Sequence, residues 1–266
     1  MPFAFSTLGC PGRTLQEVLE LATSRGVDGL ELRAAPDAGI HVELDGAQRA
    51  AVRGQCAAAG VEVLALASYL RVCEPGDDEE FARDATDHLR LAADLHASYL
   101  RVFPGPGGAG ADGDDRAVRR LAAIAPTAAA LGVRIGLETH DSHPRGSDVA
   151  AILWALDERL PEHGVEVIWD ALHPWRAGES PVQTLQAVAP WLAYVQIKDA
   201  EAGPDGPLRS VGAGRLPLDG IAGELPHRAS LWWSLEWEKV WHPELADLPE
   251  ALDDALAWYH RAVQPG

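Results

Sequence analysis

Two kinds of hydrophobic pattern alternate along the chain. Short apolar runs, typical of buried strands, occur eight times, and stretches with apolar residues at three- and four-residue spacing, typical of amphipathic helices, lie between them. The predicted strands are Phe3–Leu8, Gly29–Arg33, Val61–Leu70, Tyr99–Phe103, Arg134–His140, Glu166–Asp170, Tyr194–Asp199 and Leu231–Glu238. The predicted helices are Thr14–Arg25, Ala47–Ala59, Asp77–His96, Arg116–Leu131, Ser147–Leu160, Val182–Val188 and Leu248–Val263.

Local signals support these helix boundaries. Thr14 with Glu17 three residues later predicts a capping box, and Gly26 marks the end of the same helix. A glycine also directly precedes three later strands, as expected where a helix ends in the left-handed conformation: Gly60, Gly132 and Gly164.

Eight strands alternating with helices predict a parallel sheet. The length of 266 residues is about that of one (β/α)8 TIM barrel, and the composition shows no break. We therefore expect an α/β fold with a single barrel domain over residues 1–266. The alternative is an open doubly wound sheet with a G-x-G-x-x-G loop after its first strand, and the LGCPGRT segment does not match that motif.

Polar side chains stand at the C-terminal ends of the last four predicted strands. They are Glu138, Asp170, Gln196 and Glu236. A lone glutamate at a strand end is usually a solvated loop residue, but four matched strand ends weaken that interpretation. Parallel barrel strands bring their C-terminal ends to one rim, where such folds carry their chemistry. Converging carboxylate and amide oxygens suit a hard divalent cation.

Strand periodicity adds neighbours to this set. Residues two apart share a face of a strand, so His140, Lys198 and Glu238 lie on the same side as the four strand-end residues. Only two of the 22 basic residues are lysines, Lys198 and Lys239, and both lie at the end of a predicted strand that carries a site candidate. Because lysine is a compact charge whose pKa shifts readily on burial, this placement supports a functional site.

Three further residues are candidates for the same pocket. Arg33 and Arg101 lie on the second and fourth predicted strands, and His173 follows Asp170 by three residues in a loop. The alternatives are structural: each arginine pairs with a neighbouring carboxylate, and each histidine bonds to loop backbone.

The composition restricts the partners. The net charge is -18 and no basic cluster is present, which argues against a nucleic-acid partner. No apolar run is long enough for a membrane span, and no leader segment is evident. The three cysteines, Cys10, Cys56 and Cys73, are widely spaced, which fits reduced thiols in the cytoplasm. Exposed barrel helices are compatible with a homodimer.

Loops and tryptophans bear on specificity. The low-complexity segment Pro104–Asp115 predicts a mobile loop on the catalytic rim. His41, Trp175 and Trp241 lie in other loops that would set the substrate. Packing is the expected role of Trp232, Trp233 and Trp237, with Trp241 as the exception because it lies beyond its strand.

Several motifs in sequence order resemble the sugar-phosphate isomerase/epimerase superfamily, the xylose isomerase-like TIM barrels. They are STLGCPGRTLQEVLELATSRGVDGLELR, GLETH, WDALHP, VQIKDA, VGAGRLPLDG and LEWE, and the resemblance spans nearly the whole chain. The resemblance implies a TIM barrel in which Glu138, Asp170 and Glu236 bind a metal, Glu138 and Glu236 act as acid and base, and His173 contacts the substrate.

The chain departs from this pattern at Gln196, where the family usually has histidine. The amide oxygen can still ligate, so the predicted site is all-oxygen and favours Mn²⁺ or Mg²⁺ over Zn²⁺. The substitution is also compatible with weak metal binding or with a metal-free relative.

The leading expectation is a metal-dependent isomerase or epimerase of a small sugar, polyol or related hydroxy-carbonyl compound. It would act by proton abstraction through an enediolate. A dehydratase of the inosose or dehydroshikimate type on the same scaffold is the first alternative, and a non-catalytic sugar-binding barrel is the second. A DNA-repair nuclease fits worst, because the second and third strands offer no histidine for a zinc cluster.

Overall fold

The computed structural model describes residues 2–225 and 231–264. Eight parallel strands close into one barrel in the order β1-β10-β7-β6-β5-β4-β3-β2, which confirms the predicted single-domain (β/α)8 fold. The barrel strands are β1 Phe3–Ser6, β2 Gly29–Arg33, β3 Glu62–Arg71, β4 Tyr99–Phe103, β5 Arg134–Glu138, β6 Val165–Asp170, β7 Leu192–Ile197 and β10 Trp233–Leu235. Two further strands, β8 Asp199–Ala200 and β9 Leu208–Arg209, form an antiparallel ribbon outside the barrel.

Helices occupy the connections between the barrel strands. They are α1 Leu15–Ser24, α2 Gly46–Ala59, α3 Asp78–Asp94, α4 Ala111–Leu131, α5 Gly146–Arg159, α6 Leu172–Arg176, α7 Pro181–Val188, α8 Leu218–Glu224 and α9 Leu248–Ala262. The short helices α6 and α8 and the β8–β9 ribbon were not predicted, since each is too short to show a hydrophobic period. Within the two described ranges, no helix has the length and apolar character that a membrane span requires.

The boundary signals of α1, α2 and α4 operate as expected, whereas Gly164 lies several residues beyond the end of α5 and does not cap it. The Thr14 hydroxyl accepts from the Glu17 N–H while the Glu17 carboxylate accepts from the Thr14 N–H, which closes the capping box of α1. Helices α2 and α4 end at Gly60 and Gly132, whose φ angles of 67° and 70° are in the left-handed region.

Strand alternation divides the core into two parts. Outward side chains such as Leu30, Leu32 and Trp233 pack against the helices. The inward side chains that form a separate apolar cluster are Ala4, Leu64, Ala65, Tyr99, Ile168 and Tyr194. Tyr99, Ile168 and Tyr194 each precede a polar inward residue by two positions, so the apolar cluster fills the barrel below and the polar residues meet above it.

The segment Pro104–Asp115 lies after β4 on the rim, but the prediction of a loop throughout is wrong. Helix α4 begins at Ala111, with Asp112 and Asp114 in its first turn, where carboxylates suit the helix dipole. Gly108 lies so close to Cys73 that a Cβ on it would be 2.2 Å from the Cys73 Cβ. The glycine therefore permits close packing on the neighbouring loop.

One buried carboxylate organises the connection after β7. Asp199 Oδ1 accepts from the N–H groups of Ala200 and Leu216, at 2.8 and 3.0 Å. Its Oδ2 accepts from Gly212 and Gly214, at 3.0 and 2.9 Å. A Cβ on Gly214 would lie 2.2 Å from Asp199 Oδ1, which explains the second glycine of the VGAGR segment.

We expect Asp199→Asn to destabilise the protein by about 2–3 kcal/mol, because an amide NH2 would face backbone donors in place of one acceptor oxygen. Urea unfolding measures this loss. The matched control is Asp205→Asn, an exposed carboxylate of the same loop, which should change stability by less than about 0.5 kcal/mol. Equal effects of the two substitutions would show that the buried carboxylate does not organise the loop.

Candidate active site

The four strand-end residues meet at the C-terminal mouth of the barrel. Glu138 and Asp170 end β5 and β6, Gln196 lies one residue before the end of β7, and Glu236 directly follows β10. Asp170 is in register with Gln196, and the Glu236 N–H donates to the Ile197 carbonyl oxygen at 3.0 Å. One oxygen from each of Glu138, Asp170 and Glu236 lies within 4.8 Å of the other two.

A lysine ammonium lies inside this carboxylate cluster. Lys198 has no exposed surface, and its Nζ is 2.7 Å from Asp170 Oδ2 and 2.6 Å from Glu238 Oε1. It also contacts Glu236 Oε2. Lys198 and Glu238 thus lie beside the strand-end residues, on the face that strand parity indicated.

An arginine approaches the cluster from β4. Arg101 Nη1 is 3.1 Å from Glu138 Oε2 and 3.4 Å from Glu236 Oε1, and its Nη2 donates to the Ser68 carbonyl oxygen. The guanidinium carbon lies 4.0 Å from the centre of the Phe103 ring. Arg101 therefore connects the two glutamates predicted to act as acid and base.

Burial and neighbouring charges shift the pKa values of Glu138, Asp170 and Lys198 in different directions from their usual values. Burial raises the pKa of Glu138 well above its usual range; the charge of Arg101 opposes this shift, and the charges of Glu236 and Asp170 reinforce it. Burial also favours the neutral form of Asp170, but Lys198 and His173 together outweigh burial and leave the pKa of Asp170 below its usual range. For Lys198, the surrounding carboxylates overcome the effect of burial and raise its pKa, so the ammonium persists at neutral pH.

Three buried acceptor atoms of the set have no hydrogen-bond donor among the described residues. They are Glu138 Oε1, Asp170 Oδ2 and Gln196 Oε1. Asp170 Oδ2 is close to the Lys198 ammonium, but without the alignment of a hydrogen bond. Unpaired buried acceptors cost free energy, and a divalent cation would satisfy them. The donor set therefore fits the metal that the sequence implies.

Nitrogen donors lie beside this oxygen set, which the prediction of an all-oxygen site did not anticipate. The His140 and His173 rings pack at an interplanar angle of 57° with centroids 4.2 Å apart. Each offers a nitrogen within 4.8 Å of a Glu138 oxygen and of the other histidine. His173 Nε2 is also 3.4 Å from Asp170 Oδ2. The short helix α6, which follows Asp170, holds His173 over the mouth.

An open cavity of ≈ 370 Å³ adjoins the cluster. Its lining includes Leu8, Tyr69, Arg71, Arg101, Phe103, His140, Glu236, Glu238 and Trp241. Trp241 is 54% exposed at the mouth, whereas Trp233 and Trp237 are buried in the packing role predicted for them.

Arg33 does not reach this cavity. Its Nε donates to the Tyr69 hydroxyl and its Nη1 pairs with Asp37, both at 2.8 Å. Its guanidinium carbon lies 5.4 Å from the centre of the Trp241 ring. Arg33 therefore contacts Tyr69 and Trp241, two side chains that line the cavity, from the side away from the cavity. It was predicted to line the cavity itself.

The structure adds residues that the sequence did not single out. Glu31 of β2 lies fully buried beneath the cluster and accepts from Gln196 Nε2 at 3.0 Å. It precedes Arg33 by two positions, so the parity argument applied to Arg33 would have found it. Tyr69 lies within the apolar run of β3 and Arg71 directly follows that run, and neither was singled out.

Solved structures with the same fold cover nearly the whole chain. The IolI protein with a bound zinc atom has a TM-score of 0.82 at 18% identity, over 99% of this chain and 98% of that one. D-psicose 3-epimerase with D-tagatose, from Clostridium cellulolyticum H10, has a TM-score of 0.80 at 15% identity, over 99% of both chains. The probable 3-DHS dehydratase AsbF of petrobactin synthesis, from Bacillus anthracis, has a TM-score of 0.78 at 17% identity, over 96% of this chain and 99% of that one.

At these identities the likeness shows the fold alone. None of the curated proteins matches the sequence. A family model described as the xylose isomerase-like TIM barrel matches residues 19–262. The chain therefore belongs to the xylose isomerase-like TIM barrel family.

Proposed function

We propose that this protein is a metal-dependent isomerase or epimerase of a small sugar, polyol or related hydroxy-carbonyl compound. The observation that carries the proposal is the convergence of Glu138, Asp170 and Glu236 beside an open cavity, with acceptor atoms left unpaired. A cavity of ≈ 370 Å³ is at the small end of the range for ligand sites, which suits a monosaccharide-sized molecule.

Glu138, Asp170, Gln196 and Glu236 would hold the metal. Bound there, a divalent ion supplies a Lewis acid that polarises the carbonyl oxygen of a substrate. Oxygen donors favour Mn²⁺ or Mg²⁺, while the adjacent His140 and His173 offer nitrogen donors that suit Zn²⁺.

Glu138 and Glu236 would move the proton. They stand on β5 and β10, which β6 and β7 separate, so two carboxylates face the mouth from different strands. One carboxylate removes the proton next to the carbonyl, and the other returns it on the opposite face, which gives epimerisation. Return by the same carboxylate gives isomerisation. Arg101 contacts both groups and holds them at fixed positions.

Hydroxyl groups of the substrate would meet the remaining polar side chains. Glu238 and His140 line the cavity next to Glu236, and Lys198 holds Glu238 in place. Trp241 and Tyr69 supply an aromatic wall, with ring centroids 6.4 Å apart. These side chains orient the reacting carbon and restrict water at the mouth.

A dehydratase is the second candidate, and Arg71 favours it. Arg71 lines the cavity, and its charge helps to lower the pKa of the nearby Asp141. A substrate that carries a carboxylate would pair with Arg71. Loss of a β-hydroxyl after the same proton abstraction would then give an unsaturated product, which absorbs in the ultraviolet.

Proton abstraction predicts exchange with solvent. In D₂O with Mn²⁺, the protein should introduce deuterium next to the carbonyl of at least one ketose in a broad panel, as NMR measures. Glu236→Gln should reduce the rate by about 10²- to 10⁴-fold, the usual contribution of a general acid or base.

The matched control is Glu62→Gln, an exposed glutamate at the start of β3 and the opposite end of the barrel. It should exchange at the rate of the unaltered protein. Absence of exchange with every compound, while the metal is bound, would contradict the proposed chemistry.

Lys198 forms ion pairs with Asp170 and Glu236, two of the proposed metal ligands, so the ammonium and the metal would compensate the same negative charges. Lys198→Met should destabilise the metal-free protein by about 3–5 kcal/mol, because three carboxylate neighbours lose their buried partner. Saturating Mn²⁺ should restore part of the lost Tm, in a thermal melt followed by circular dichroism. For Lys239→Met, the same change at the other lysine, Mn²⁺ should raise the Tm only as much as it does for the unaltered protein, whereas the rise for Lys198→Met should be larger. If Mn²⁺ leaves the Tm of Lys198→Met unchanged, the proposal that Lys198 and the metal compensate the same carboxylates is contradicted.

Glu138→Gln should raise the Tm of the metal-free protein at pH 7.5. The raised pKa of Glu138 means that the folded state binds a proton there more tightly than the unfolded chain does. This stabilisation is complete below the unfolded pKa of about 4.3 and is lost as the pH rises toward the folded pKa. The Tm advantage of Glu138→Gln should therefore shrink toward pH 4.5. A lower Tm than the unaltered protein at pH 7.5 would contradict the predicted cost.

A further inference from the structure

A second polar layer lies beneath the four strand-end residues. Glu31 of β2 points into the barrel without exposed surface, and its Oε2 accepts from the Tyr194 hydroxyl at 2.7 Å and from Gln196 Nε2 at 3.0 Å. Its Oε1 accepts from the Ser234 hydroxyl. Each partner is fully buried and comes from β7 or β10, so the contacts cross the barrel interior.

The bond from Glu31 fixes which end of the Gln196 amide faces the mouth. A glutamine amide offers two donors at its nitrogen and an acceptor at its oxygen. Glu31 Oε2 takes the nitrogen end, and Gln196 Oε1 is left buried without a donor among the described residues. Reversal of the amide would place two oxygens in contact below and present N–H groups toward the carboxylate cluster.

Protonation of Glu31 at Oε1 would preserve this arrangement. Burial raises the pKa of Glu31, and the charge of Glu236 adds to the shift. A proton on Oε1 would face Ser234, whose hydroxyl accepts as well as donates. Oε2 therefore remains an acceptor for the Gln196 amide in either state.

We propose that Glu31 is a positioning residue that holds Gln196 Oε1 toward the metal site and thereby makes glutamine a competent ligand. The inference rests on the proposed metal-dependent function. A neutral amide binds cations through its oxygen only, so its orientation decides whether it attracts or repels the ion. Loss of such an outer partner typically weakens metal binding by about 10- to 100-fold.

A double-mutant cycle on metal affinity tests this role without an activity assay. Isothermal titration with Mn²⁺ gives the Kd of the unaltered protein, Glu31→Leu, Gln196→Ala and the double variant. We expect Glu31→Leu to weaken binding by about 10- to 100-fold. In the Gln196→Ala chain, the same change should alter the Kd by about twofold or less, because no amide remains to be oriented.

Two matched variants separate positioning from general packing. Glu31→Gln retains an acceptor oxygen for Gln196 and should keep the affinity within about threefold of the unaltered protein, a difference near 0.6 kcal/mol. Ser234→Ala removes a donor to the other oxygen of Glu31 and should leave the Kd within about twofold. If Glu31→Leu does not fold, Glu31→Asp replaces it in the experiment. Its side chain is one methylene shorter, which moves the carboxylate away from Gln196 Nε2, so Mn²⁺ binding should weaken.

The outcomes distinguish the two proposals. A folded Glu31→Leu variant that binds Mn²⁺ like the unaltered protein would overturn the role of Glu31 and leave the proposed function standing. An equal loss in Ser234→Ala would also overturn it, since the effect would then belong to packing. Failure of the unaltered protein to bind any divalent ion would overturn both proposals.

Discussion

The mutual repulsion of buried carboxylates is the constraint on which this site depends. Glu31, Glu138, Asp170 and Glu236 lie with almost no exposed surface in the upper half of one barrel, and Glu238 adjoins them. Water cannot screen such charges, so they persist only with compensating partners. Within the described part of the chain, Lys198 and Arg101 are the cations in direct contact with the cluster, and three buried oxygens of the site accept no hydrogen bond.

The barrel makes this charge arrangement possible. Parallel strands bring their C-terminal ends to one mouth, while apolar side chains such as Ile168 and Tyr194 seal the interior below. The same strands place Asp170 and Gln196 directly above these two residues, two positions on. The polar and apolar layers therefore arise from one alternation, and the segments directly after β7 and β10 add Lys198, Glu236 and Glu238 to the charge cluster.

The sequence predicts most of the fold and the strand-end residues of the candidate site, but not the residues that contact them from other strands. Strand ends and parity led to Glu138, Asp170, Gln196 and Glu236 and to Lys198 and Glu238, because both signals are local. The partners of these groups are not local. Glu31 and Gln196 lie 165 residues apart on strands that are not neighbours, and only barrel closure brings them together. The prediction for Arg33 differs from the structure for another reason. Arg33 lies on the predicted strand, but its hydrogen bonds to Tyr69 and Asp37 hold its side chain away from the cavity.

The two proposed reactions, isomerisation and dehydration, would be distinguished by residues outside the charge cluster. Both reactions begin with the proton abstraction that Glu138 and Glu236 would perform. Arg71 and Trp241, which line the cavity, would bind the distant end of a substrate and so decide which compound enters. A charged group at that end favours the dehydratase, and a neutral polyol favours the isomerase.

Anomalous diffraction from crystals soaked in Mn²⁺ tests the central claim most directly. The account predicts one strong peak contacted by oxygens of Glu138, Asp170, Gln196 and Glu236, with the Gln196 nitrogen still bonded to Glu31. A peak held instead by Glu138, His140 and His173, or no peak in the barrel mouth, would contradict it.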